Sequence, residues 1–123
     1  MVKIELNDAI FDRLEEAAQQ AAVETMEALK TEVINAQVMP FDTGDMQNNH
    51  TFVMPLRQGR GAKLETDAPQ ARRLYFHPEY DFQTGKNANA QGEWFRHWLE
   101  GGEYADFVPQ RFEEEWSKRT PNN

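Results

Sequence analysis

The spacing of apolar residues changes at residue 7. Before it, Val2, Ile4 and Leu6 alternate with Lys3 and Glu5, the two-residue period of a short half-buried strand, although the same segment also fits a lead-in to a helix. After it, Phe11, Leu14, Ala18, Ala22, Met26, Leu29, Val33 and Ala36 recur every three or four residues and draw one helical stripe. Asn7 suits the N-cap and Asp8 the positive end of the helix dipole. No Gly or Pro interrupts the segment before Pro40, so the pattern predicts a helix of roughly thirty residues, about 45 Å long. Ala17, Ala18, Ala21 and Ala22 allow close approach to its backbone, and a sheet of the same chain is the expected cover.

Pro40 is the expected stop, and Asp42-Thr43-Gly44 reads as a turn in which Asp bonds nearby backbone and Gly admits positive φ. From His50 to Leu56 the two-residue alternation returns, with Phe52, Met54 and Leu56 opposite Thr51 and Val53, and Pro55 marks an edge strand. Arg57-Gln58-Gly59-Arg60-Gly61 forms the predicted hairpin loop, returning through Ala62, Leu64 and Thr66. Asp67, Pro69 and Gln70 signal the start of a short helix through Leu74 and Tyr75 that ends near His77-Pro78. Residues 79–91 read as loop, Trp94, Phe95, Trp98 and Leu99 as a helix stopped by Gly101-Gly102, and Val108, Phe112 and Trp116 as the stripe of a last helix from about Asp106. The fold class that follows is α+β: a long N-terminal helix packed on a small, mainly antiparallel sheet, with shorter helices in the C-terminal half. Residues 1–120 form the expected single domain, followed by a disordered tail at 121–123.

Composition sharpens this picture. At 123 residues one core is feasible, and eight Phe, three Trp and three Tyr supply large buried area per residue. The net charge of −8 is uneven: residues 1–36 carry eight acids and three bases, residues 37–90 six of each, and residues 91–123 seven acids and four bases. A field of that sign repels phosphate backbones, and Arg57, Arg60 and Lys63, or the pair Arg72-Arg73, are the candidate basic patches against it. The chain has no cysteine, hence neither a disulfide nor a thiolate metal site. The first residues lack the apolar run of a signal peptide and no stretch is long enough to span a bilayer, so a cytoplasmic product is expected.

Little in the chain promises catalysis. His50, His77 and His97 lie near Asp45, Glu79 and Asp81 in sequence but in no recognised ligand spacing. Glu15-Glu16 and Glu113-Glu114-Glu115 read as solvated helix faces rather than acid/base pairs, and nucleophile-elbow, Walker and dinucleotide patterns are missing. No enzyme, cofactor or metal is therefore expected. At least two of Trp94, Trp98 and Trp116 belong to the core, while Arg72 and Arg73 suit an internal ion pair, an aromatic stack or a partner contact equally.

The order of these parts resembles that of the neck and minor capsid proteins of long-tailed bacteriophages. The carriers are Pro40, Asp42, Thr43, Gly44 and Met46 after the long helix, then the run Thr66 to Tyr75, then Asn87, Ala90 and Trp94, and finally Phe107-Val108-Pro109, which is similar to the start of the last helix in tail-completion proteins. The resemblance spans about residues 7–118. It implies a non-enzymatic virion component, made in the host cytoplasm, that joins the portal end of the head to the tail as a ring of identical subunits. Its partners would be other neck, portal or tail proteins, with the isolated subunit able to stay a monomer until it meets the assembling virion, and with no sequence-specific nucleic acid and no membrane. Asp42, Thr43, Gly44, Arg57, Arg60, Arg72, Arg73, Tyr75, Phe82 and Trp94 are the candidate interface or loop residues. The rival reading is a small acidic inhibitor that mimics DNA, which predicts carboxylates spaced along one exposed face; a small hydrolase or metal enzyme comes third.

Overall fold

The computed structural model describes residues 8–56 and 60–119, with side chains from Arg13 onward. The elements are α1 (Asp8–Asn35), α2 (Asp45–Asn49), β1 (Thr51–Pro55), β2 (Ala62–Thr66), α3 (Ala71–Tyr75), a 3-10 turn over Arg96–Trp98, and α4 (Phe107–Arg119). The α+β architecture is the expected one: a long helix lies on a two-stranded antiparallel sheet, with shorter helical pieces after it. The anticipated strand at residues 2–6, the Asn7 cap, Arg57 and the tail at 121–123 lie outside the described residues.

The helix α1 is unbroken over 28 residues, but its cover differs from expectation. It packs most extensively against α4 and then against both strands, so α4 shares the cover assigned to the sheet. Ala17 and Ala21 are buried, as small side chains at a close helix contact should be. Thr25 completes that line, 1% exposed, with its hydroxyl donating to the Ala21 carbonyl at 2.7 Å. A β-branched polar residue is thus tolerated in the interior because its own helix accepts its proton.

Pro40 does not stop α1. The helix ends at Asn35, and Gln37 takes the left-handed conformation at φ 57°. The carbonyls exposed by this turn are met by the loop expected at residues 79–91: Asn89 donates from its side chain to Ala36 at 3.0 Å and from its backbone to Gln37 at 3.1 Å, and the Gln91 amide donates to Val38 at 2.9 Å. The loop after α3 therefore serves as the C-terminal cap of α1.

Strands β1 and β2 pair with Thr51 opposite Thr66, Val53 opposite Leu64 and Pro55 opposite Ala62. The core lies beneath them, where Val33, Val38, Met39, Met46, Ala71, Trp94 and Trp98 meet, ringed by Leu29, Leu64, Leu74, Tyr75, Phe95 and Phe107. Asn87, buried at its edge, is satisfied: its side-chain amide donates to the Met39 carbonyl at 2.8 Å and to Gln47 Oε1 at 2.7 Å.

Two further expectations need correction. Asp67 does not cap α3, because its amide continues the strand ladder by donating to the His50 carbonyl at 2.7 Å; the helix starts later, after Gln70, without a side-chain cap. The segment around Trp94–Leu99 is not an α-helix but one 3-10 turn. Glu93 sits at φ 45°, and Arg96, Trp98 and Leu99 donate to Glu93, Phe95 and Arg96, three residues back. Gly102 then folds against the turn so closely that a Cβ there would collide with the carbonyls of Arg96 and His97.

Candidate functional site

Seven of the ten residues singled out from sequence, Asp42, Thr43, Gly44, Arg72, Arg73, Tyr75 and Trp94, gather on the two sides of α3. On one side, Asp42, Thr43 and Gly44 share a groove of about 310 Å³ with Gln70, Arg73 and Leu74. The turn that builds this wall depends on Gly44, whose φ is +88° and whose Cβ would lie 2.6 Å from the Phe41 ring and 2.9 Å from the Asn48 side-chain nitrogen. The hydroxyl of Thr43, not the carboxylate of Asp42, accepts the backbone N–H of Asp45, at 3.3 Å. Short helix α2 follows at once, with the Asn48 amide donating to the Gly44 carbonyl at 2.9 Å. Sequence reasoning missed α2; a left-handed glycine followed by an Asp was its signal.

On the other side of α3, Arg72 and Tyr75 line a groove of about 290 Å³ whose opposite wall is β2, and it continues past Phe95 into a second apolar hollow of about 400 Å³ between α1, the 3-10 turn and α4. Tyr75 is the hinge of this surface. Trp94 meets its ring edge-on at 4.8 Å, and Phe76 and Phe95 stand at 5.1 and 6.1 Å. Burial, reinforced by the Glu93 carboxylate, pushes the phenol above its ordinary range, so it remains a neutral hydrogen-bonding group at the groove. Trp94 itself is 1% exposed, supporting the groove from beneath. The indole N–H groups of Trp94 and Trp98 find no acceptor among the described residues.

Arg72 and Arg73 are both exposed, and among the described residues no carboxylate pairs with either. Arg60 lies elsewhere, in a hollow with Gln19 and Phe112 beside α1, and Phe82 sits in the loop at 6.4 Å from the Tyr80 ring. Phe76, Leu99 and Tyr104, at 64%, 55% and 50% exposure, add apolar surface that sequence reasoning did not assign to a site. Leu99 follows the 3-10 turn in extended conformation.

Each of the three histidines faces one polar side chain. His50 faces Asp45 at 3.0 Å, His77 faces Glu79 at 2.7 Å, and His97 meets the Gln91 side-chain oxygen at 3.0 Å. The bond from His77 holds Glu79 below the usual carboxylate range. No three His, Asp or Glu side chains converge among the described residues. Glu115 departs from expectation: rather than lying on a solvated face it is 5% exposed, gripped by Arg119 at 2.7 Å, Arg111 at 3.0 Å and Lys118 at 3.3 Å. These cations, Arg119 foremost, lower its carboxyl to about 2.

No described helix is long and apolar enough to cross a membrane. No family model, curated protein or solved structure matches the chain.

Proposed function

We propose that this protein is a structural subunit of a bacteriophage neck, joining the portal end of the head to the tail as one member of a ring, with no catalytic role. The observation that carries the reading is convergence: Asp42-Thr43-Gly44 and the α3 segment, some thirty residues apart in sequence, line one groove, and Asn87 bonds Met39 and Gln47, which flank the Asp42-Thr43-Gly44 turn in sequence. Pro40, Asp42, Thr43, Gly44 and Met46, five of the residues that resemble neck proteins, thus share a groove with Gln70, Arg73 and Leu74 of the second such segment, which supports the reading. Arg72 beside the apolar groove and Arg73 beside the groove on the other side of α3, both exposed and without a carboxylate partner among the described residues, suit docking against acidic or polar neighbours.

The DNA-mimic alternative needs an uninterrupted carboxylate face. On α4 that face is broken, because Glu115 is neutralised by three cations of its own helix.

Electron microscopy of particles assembled without the protein tests the proposal. Filled heads accumulating beside separate tails are expected; normal infectious particles overturn it.

A further inference from the structure

An antiparallel pair leaves each strand one open edge, and the two edges here are unequal. The Asp67 amide bonds the His50 carbonyl at 2.7 Å and the Leu56 amide bonds the Gly61 carbonyl at 2.9 Å, which fixes the alternation of the ladder. Between these ends, Thr51/Thr66, Val53/Leu64 and Pro55/Ala62 are the non-bonded pairs, whose backbone groups point outward. The 3.2 Å approach of the Thr51 and Thr66 hydroxyls agrees, since side chains come closest in such pairs. On β1 the outward amide at Pro55 does not exist. On β2, Ala62, Leu64 and Thr66 each direct an N–H and a C=O outward, and no described backbone group bonds them.

The groove beside α3 runs along this edge. Leu64, Glu65 and Thr66 all line it, and consecutive strand residues, which point to opposite faces, share a wall only when that wall is the strand's edge. Tyr75 and Phe95 stand across from it.

We propose that the β2 edge receives residues 2–6 of a second copy of this chain as an added antiparallel strand. The sequence fits in one register: Val2 opposite Thr66, Lys3 opposite Glu65, Ile4 opposite Leu64, Glu5 opposite Lys63 and Leu6 opposite Ala62. Val2, Ile4 and Leu6 then share the face on which Leu64 meets the core, while Lys3 and Glu5 join the Lys63–Glu65 pair, now 2.8 Å apart on the exposed face. Both cross-strand charge pairs are opposite in sign, which is favourable on a sheet surface. Sliding the antiparallel strand by two residues puts Lys3 on Lys63 or Glu5 on Glu65, and the parallel alignment of the same residues does both.

The donor is another copy because the chain's own segment falls short. Leu64 shares a hollow with Met26 and Leu29, and Met26 lies eighteen residues along α1 from Asp8, about 27 Å. Ile4 is four residues from Asp8 and reaches at most about 14 Å. Donor segment and acceptor edge are different surfaces, so the contact is head-to-tail, the type that closes into rings. The inference deepens the ring reading above by naming the contact between subunits.

The chain has no cysteine, so single cysteines report the register cleanly. Lys3→Cys and Glu65→Cys chains, mixed at high concentration and oxidised, are expected to give several-fold more mixed disulfide by intact mass than Lys3→Cys with Lys63→Cys. Equal yields, the reverse preference or no mixed disulfide overturn the proposal. Exchanging the acceptor charges (Lys63→Glu with Glu65→Lys) retains their mutual ion pair and weakens self-association in sedimentation; adding Lys3→Glu with Glu5→Lys restores it, and failure of that rescue also overturns the proposal. A register-specific disulfide in a protein whose loss leaves virions normal retains the strand contact and rejects the neck role, whereas unjoined heads and tails without the disulfide reject only the strand contact.

Discussion

Gln19 and Gly61, separated by 42 residues, are joined by two hydrogen bonds: the Gly61 amide donates to Gln19 Oε1 at 2.7 Å, and Gln19 Nε2 donates to the Gly61 carbonyl at 3.0 Å. A side-chain amide here imitates a strand's backbone and fastens the base of the hairpin loop to the middle of α1. Gln19→Ala is expected to cost about 1 to 2 kcal/mol, measured by urea unfolding, and to speed hydrogen exchange at Leu56 and Lys63, whose amides bond within the ladder. Unchanged exchange would show that the strands hold the loop without this clamp.

Gly44 and Gly101 separate two origins of glycine dependence. Both have positive φ, at 88° and 84°, but a Cβ on Gly44 meets Phe41 and Asn48 whereas one on Gly101 meets nothing within 4 Å. Gly101→Ala is expected to cost about 1 kcal/mol, the backbone term alone, and Gly44→Ala about 2 kcal/mol or more. Equal thermal shifts for the two variants would contradict this.

Asn87→Ala leaves two buried acceptors, the Met39 carbonyl and Gln47 Oε1, without their donor. The expected loss is about 2 to 4 kcal/mol by chemical denaturation, since each stripped acceptor costs about 1 to 3. A loss confined to a few tenths would mean that the loop carries little of the core's polar order.

Glu115 governs part of the acid response. Its folded pKa, about 2, lies below the ordinary 4.5, so its contribution is full above about 4.5 and disappears as pH falls towards 2. Glu115→Gln should flatten the stability profile across that window and lower stability at neutral pH, where three cations lose their anion. An unchanged acid limb would refute the assignment.

Much of the architecture was legible in the sequence because it is written in periodicity. The stripe from Leu14 to Val33 and the alternation at Thr51–Pro55 and Ala62–Thr66 each repeat often enough to identify an element, and Pro55 falls at an outward edge position as its missing N–H requires. The failures lie where a distant partner decides. Gln37 ends α1 because Asn89 and Gln91, some fifty residues later, satisfy the carbonyls it exposes. Trp94 to Leu99 carries a helical spacing, but Gly102 occupies the space its next turn would need. Glu115 looks solvated within a run of three glutamates and is the exception, since Arg111, Lys118 and Arg119, the cations that grip it, all stand one turn away on its own helix. At the candidate site, Asp42-Thr43-Gly44 and Arg73 were each visible as residues; their shared groove was not, because nothing local links segments thirty residues apart.

The closeness of Gly102 to the carbonyls of Arg96 and His97 has a consequence for how freely this chain tolerates change. Gly92 is similarly confined, against Pro78 and the Leu74 carbonyl, so the aromatic turn is hemmed at both ends by positions with no room for a methyl group. In a saturation scan these two sites, though outside any helix or strand, should reject even alanine, while exposed neighbours such as Glu100 and Glu103 accept most replacements.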